Sequence, residues 1–305
     1  MNDSKKKTVS LVLGSGGARG LAHIGVIHTL EEQGYEITSI SGCSAGAMIG
    51  GIYAAGKLPE FEQWIKAIDK LDIMALLDIS WSSGGLVKGD KIINALKDLV
   101  GDRTIEELDI PFTAVAADIQ NEKEIWLNSG SLFDAIRASI SLPMFFTPVN
   151  YKDGILIDGG VLNPVPIAPT FFDDSDLTIA VNLGGPIKKE TAISAIQKAP
   201  NSEDNEPELH NRILNFIKNI ASSSDSEASN AKKEWGVYDV VNQAFDAMQG
   251  TIARQKLAAY PPDLVIELPR NACGTLEFDR AEEMISLGKE KTLLALQDYG
   301  EIEQD

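Results

Sequence analysis

Cysteine and histidine are scarce in this 305-residue chain, with two copies of the first and three of the second. Two cysteines, Cys43 and Cys273, exclude a disulfide-stapled scaffold and fit a reducing compartment. The shortage of histidine removes a familiar option. A Ser-His-Asp triad in the usual hydrolase order needs a late histidine, and none of the three is a good candidate. His210 lies in a polar interval, while His23 and His28 occupy one expected helix at a spacing that does not share a face. Positive charge is short as well: 27 Lys and Arg face 45 Asp and Glu, a formal charge of −18. That balance argues against a nucleic-acid partner and against simple electrostatic adsorption to anionic lipid, so any peripheral membrane contact must be local and apolar. No run approaches the ~18 apolar residues that span a bilayer. The first residues carry lysines but neither the apolar core nor the cleavage site of a signal peptide, and the expected location is cytoplasmic.

The chain does contain an ordinary globular composition, 44% hydrophobic and 24% charged, and its length suits one large α/β domain or two smaller ones. The apolar run 8–13 reads as a buried first strand, followed by the loop Gly14-Ser15-Gly16-Gly17-Ala18-Arg19-Gly20. A helix then starts near Leu21 and stops at Gly34, and a second strand spans 37–41. Strand, crossover helix and strand make a βαβ unit and hence a mainly parallel sheet. Further helices are expected over 45–55, 59–71, 90–100, 132–140, 238–259 and 281–296. Further strands are expected over 112–119, 124–127, 154–158, 177–183 and 264–268. Residues 186–233 break the rhythm with two Ser/Glu/Asp-rich stretches typical of mobile loops. Between them, 209–220 carries an amphipathic helical pattern that reads as an ordinary surface helix or as a movable lid. The organisation expected is a catalytic core over 8–185, a polar insertion over 186–233, and a segment over 234–300 that completes the same domain.

The chemistry centres on Gly42-Cys43-Ser44-Ala45-Gly46. Between a strand and a helix, G-x-S-x-G is the signature of a nucleophile elbow, a sharp turn that exposes a serine hydroxyl. Gly42 and Gly46 suit a turn too tight for side chains, and the helix dipole at Ser44 favours developing negative charge. Cys43 reads as a small packed elbow residue, with a rival nucleophile as the lesser option. A serine nucleophile needs oxyanion donors, and the backbone N–H groups of Gly16, Gly17 and Ala18 are candidates. Arg19 either holds that loop or contacts an anionic group, and His23 orders the loop from the first turn of the helix. The loop lacks the Lys-Ser/Thr pair of a P-loop. Read as a dinucleotide fingerprint from Gly14, it has Arg19 in place of the third glycine. The better candidate for the base is Asp158, which ends the apolar strand 154–158 and precedes Gly159 and Gly160, where the backbone can turn sharply; the alternative is an aspartate that only caps that turn. Burial would raise its pKa and make it a better base.

Together these stretches resemble the patatin-like phospholipase family: the glycine-rich loop after the first strand, Gly-Cys-Ser-Ala-Gly, and Asp158-Gly159-Gly160. Gly20-Leu21-Ala22-His23-Ile24-Gly25-Val26 and Ala138-Ser139-Ile140-Ser141-Leu142-Pro143 match as well. The resemblance is ordered over about 9–183 and looser over 257–276. It implies a three-layer α/β/α fold with a mainly parallel central sheet, and a Ser-Asp dyad that hydrolyses lipid acyl esters through an acyl-enzyme. It implies neither metal nor cofactor. Carried over residue by residue, Ser44 is the nucleophile, Asp158 the base, and Gly16, Gly17 and Ala18 the oxyanion loop. Gly14, Ser15, Arg19, Gly20 and His23 support that loop. The chain departs from the family's Gly-Gly-Gly-x-Arg/Lys-Gly at Ser15, which fits after a strand if its φ is negative. Phospholipid or lysophospholipid is the expected substrate. The alternatives are an acyl-binding regulatory protein with little turnover, or a thioesterase or peptidase using the same dyad.

Overall fold

The computed structural model describes residues 6–76, 87–187 and 237–302. Contact density divides the chain into one compact unit, Met1–Lys188 with Ala244–Asp305, and a second, Lys189–Gln243. The expected amphipathic stretch 209–220 and the polar insertion lie outside the described residues.

Eight strands form one sheet, in the hydrogen-bonded order β5-β6-β3-β2-β1-β7-β8, with β4 also paired to β3. They are β1 (Thr8–Leu13), β2 (Glu36–Cys43), β3 (Phe112–Asp118), β4 (Lys123–Leu127), β5 (Val149–Tyr151), β6 (Gly154–Asp158), β7 (Leu177–Gly185) and β8 (Leu264–Pro269). The pairs β1–β2, β1–β7, β2–β3 and β7–β8 are parallel. Those of β3 with β4 and β6, and of β5 with β6, are antiparallel.

Helices cover both faces, as the alternation along β1 requires. Val9, Leu11 and Leu13 point into the larger core, which includes residues from α1 (Ala22–Glu32), α2 (Ala45–Ala54), α3 (Leu58–Ala67), α5 (Asp90–Val100), α6 (Leu132–Ser139) and α8 (Ala281–Ile302). Val12 points the other way, into a smaller cluster with Ala180, Val165 and Ile167 that Ala253 of α7 (Val237–Ala259) closes. Successive strand residues face opposite sides, so one six-residue strand seeds both cores. The result is a three-layer α/β/α sandwich. Among the described residues no helix is long and apolar enough to cross a membrane.

One local reading needs correction. The helix expected over 59–71 is two helices, α3 and α4 (Lys70–Leu76), because Ile68 leaves the helical region with ψ 130°. Asp69 then caps the new start, its Oδ1 accepting from the Leu71 and Asp72 N–H groups at 2.7 and 2.9 Å. The first helix is preceded by a 3₁₀ turn over Gly17–Leu21, which sharpens the exit from the glycine-rich loop.

One feature of the sheet decides where chemistry can occur. Ala114 pairs with both Leu127 of β4 and Gly42 of β2, while Ala116 pairs with both Ile125 of β4 and Asp158 of β6. A strand has two edges, so β2 and β6 share the edge opposite β4. They run in opposite directions and meet end to end, with Cys43 opposite Val115 and Asp158 opposite Ala116.

Candidate active site

The end-to-end meeting of β2 and β6 brings Ser44 and Asp158 together across 114 positions of sequence. The Ser44 Oγ donates to Asp158 Oδ2 at 2.5 Å. Asp158 is fully buried and Ser44 is 8% exposed, so the pair lies almost out of water with only the serine accessible.

Ser44 takes φ 56° and ψ −123° between β2 and α2. A non-glycine residue at positive φ stores roughly 1–3 kcal/mol, tolerated only where the surroundings over-determine it. Here they do. The Ser44 N–H donates to Ser139 Oγ at 2.9 Å, and that hydroxyl donates onward to the Val115 carbonyl at 2.7 Å. The turn brings backbones into contact: a Cβ on Gly42 would fall 2.5 Å from the Gly46 carbonyl oxygen, and one on Gly46 would meet that of Leu13.

Burial pushes Asp158 up to about 6, against the opposing hydrogen bonds from Ser44, Gly160 and Cys43. The Gly160 N–H donates to Oδ1 at 2.8 Å, and the Asp158 N–H donates to the Ser141 carbonyl at 2.9 Å. Ser141 is in turn gripped by Arg137, whose guanidinium also holds Lys88 and Thr147. At neutral pH the carboxylate is ionised yet more basic than an exposed one. Beside it Cys43 is buried, and burial together with the Asp158 charge holds its thiol well above the usual range. Cys43 therefore stays a protonated thiol, the poorly nucleophilic form.

The glycine-rich loop lies against the elbow, with Gly20 so close to Ala45 that a Cβ would collide. Gly17 needs to be glycine for its φ of 56°. His23 is fully buried, burial lowering it to about 4, so a neutral ring donates from Nε2 to the Gly14 carbonyl at 2.9 Å. Arg19 is also buried and spends its guanidinium on the Gly16 and Arg270 carbonyls and on Asp246. It holds the loop and is not directed at a ligand. Ser15 avoids positive φ. Its N–H is taken by the Pro164 carbonyl, and its Oγ accepts from Gln249 Nε2 at 3.3 Å.

One candidate donor needs correction. The Ala18 N–H already donates to the Thr275 carbonyl at 2.9 Å, so it is not free to meet an oxyanion. No such bond engages the Gly16 or Gly17 N–H among the described residues. Of the other histidines, His28 pairs with Glu62 in a half-buried contact away from the elbow and His210 lies outside the described residues. Sequence reasoning missed Ser139 as the anchor of the elbow, and Asp246 and Gln249 as partners of the loop. Ser139 carried a signal, since it lies in the Ala-Ser-Ile-Ser-Leu-Pro stretch; the two residues of α7 carried none. No cluster of His, Cys, Asp and Glu able to hold a metal occurs among the described residues.

A mainly parallel α/β/α sandwich with a serine at a strand-to-helix elbow and a buried carboxylate against it defines a hydrolase class. Residues 11–171 match the family model described as patatin-like phospholipase. The chain is 38% identical to an uncharacterized NTE family protein of Mycobacterium tuberculosis (Rv1063c), with 99% of this chain and 94% of the relative covered. It is 26% identical to a lysophospholipase (nte1) of Emericella nidulans over 92% of this chain but 18% of the relative. With the neuropathy target esterase sws of Drosophila willistoni it shares 34% identity, over 52% of this chain and 11% of the relative. The chain belongs to the patatin-like phospholipase family and is a lipid acyl hydrolase.

Proposed function

We propose that the chain hydrolyses phospholipid or lysophospholipid acyl esters through an acyl-enzyme on Ser44, with Asp158 as the only base. The observation that carries this reading is the 2.5 Å contact between the Ser44 hydroxyl and a fully buried carboxylate. Asp158 takes the hydroxyl proton as Oγ attacks the ester carbonyl. The Gly16 and Gly17 N–H groups receive the oxyanion, where one donor is worth roughly 10²–10³ in rate. Collapse of the tetrahedral species breaks the ester C–O bond, and the proton on Asp158 passes to the leaving alcohol. Water, deprotonated by Asp158, then releases the fatty acid and restores Ser44. A base near pKa 6 accepts a proton readily at neutral pH and still returns it. Cleavage needs no third residue, which accords with the shortage of histidine.

The acyl chain needs an apolar receptacle. A narrow pocket lined only by apolar side chains, among them Met48, Phe61, Trp64, Ile68, Ile92 and Leu96, lies between α2, α3 and α5. Met48 is one helical turn beyond Ser44, its N–H donating to the Ser44 carbonyl, so the pocket begins on the nucleophile's own helix. The relative named a lysophospholipase supports a single-chain substrate. Widening the pocket with Trp64→Ala is expected to raise the kcat/KM ratio of palmitoyl over butyryl p-nitrophenyl ester about tenfold, since single methylenes in apolar pockets discriminate on that scale. An unchanged ratio would remove this pocket from the acyl site.

A further inference from the structure

α7 lies far from the elbow in sequence, yet a single stripe along it reaches the site. Asp246 bonds Arg19, Gln249 bonds Ser15, Ala253 packs on Val12 and Ala180, and Lys256 pairs with Glu124 at 2.5 Å. Spacings of three and four residues put all four on one helix face. Gln249 differs from the others in what it joins. Its Nε2 donates to the Ser15 Oγ of the glycine-rich loop, and both atoms press on Gly160, where an added Cβ would fall against Nε2 and 2.7 Å from the Ser15 hydroxyl. Gly160 is the residue whose N–H donates to Asp158 Oδ1. Gln249, Ser15 and Gly160 therefore form one contact that ties the oxyanion loop to the turn holding the base.

We propose that Gln249 is a positioning residue of the hydrolytic site, fixing the oxyanion loop and Asp158 relative to each other through Ser15 and Gly160. The proposal rests on the Ser44–Asp158 reading above. A neutral carboxamide suits the place. It supplies a donor to the Ser15 hydroxyl without adding a charge near a buried carboxylate, and its bulk closes the gap that Gly160 must leave. The device belongs to the departure at Ser15, because a glycine there would offer Gln249 no side-chain acceptor. Ser44 attacks the carbonyl carbon whose oxygen the Gly16 and Gly17 donors hold, so small errors in their relative placement reach the transition state directly.

Gln249→Ala, Gln249→Met, Ser15→Ala and the Gln249→Ala/Ser15→Ala pair should be compared with the intact chain and with Ser44→Ala on a soluble p-nitrophenyl ester. Melting curves should be recorded for each. Gln249→Ala is expected to lower kcat roughly 3–10-fold, the scale of one neutral hydrogen bond, with KM within about twofold. Gln249→Met preserves the bulk without the donor and should lose kcat similarly. The double variant should be no worse than Gln249→Ala, the non-additivity of two residues acting as one contact. Full kcat in Gln249→Met would reduce Gln249 to a space-filler and overturn the proposal, as would strictly additive losses. Turnover by Ser44→Ala would instead bring down the hydrolytic reading itself.

Discussion

Ser44→Ala is expected to lower kcat by roughly 10⁴–10⁶, the scale seen when a hydrolase loses its nucleophile, while leaving the fold unchanged. Alanine keeps the Cβ and the N–H, so the bond to Ser139 Oγ and the positive φ both persist. Only the hydroxyl and its bond to Asp158 disappear. The melting temperature should stay within a few degrees, and binding of a non-hydrolysable lysophospholipid analogue should survive. Ester hydrolysis by purified Ser44→Ala protein at the wild-type rate would show that turnover arises elsewhere. Cys43 is a poor refuge for such activity, because its thiol is buried and held protonated.

Asp158→Asn should give the second large effect, in opposite directions for activity and stability. Loss of the base is expected to cost roughly 10²–10⁴ in kcat/KM. The intact chain should gain kcat/KM as pH rises, with a half-point near the Asp158 pKa of about 6, and the variant should lack that limb. Stability follows from the same group. The folded pKa lies above the ordinary value of 3.8, so the folded chain binds the proton more tightly than the unfolded one. Its favourable contribution is complete below pH 3.8 and is lost as pH rises through about 6. Above that the buried charge costs on the order of 3 kcal/mol at most. Asparagine is uncharged and can still accept from the Gly160 N–H. The variant should therefore gain more thermal stability at pH 8 than at pH 5. A variant equally stabilised at both, or a rate flat between pH 5 and 7.5, would mean that Asp158 is not the titrating base.

Much of the site was legible because its geometry is local. Gly42 and Gly46 bracket Ser44 since backbones touch there, and such contacts leave glycines at fixed spacing whatever the rest of the chain does. Asp158 was legible as the polar end of an apolar strand. What joins the two was not, because β2 and β6 meet only along the shared edge of β3, and no periodicity records which strands share an edge. β5, three residues long, is too short to show a pattern. The break in the 59–71 helix did leave a local sign, the capping carboxylate of Asp69. The engagement of the Ala18 N–H by Thr275, and of Ser15 by Gln249, spans more than 230 residues and depends on packing alone.

Hydrolysis by this chain stands or falls with Ser44 as a nucleophile activated by Asp158. The most direct test is incubation of the purified chain with a fluorophosphonate, followed by peptide mass analysis across pH 5–8. A single adduct on Ser44 is expected, forming faster as pH rises through about 6, absent in Ser44→Ala and much slower in Asp158→Asn. A folded sample that forms no adduct, or carries it on another residue, would rule out Ser44 as the nucleophile.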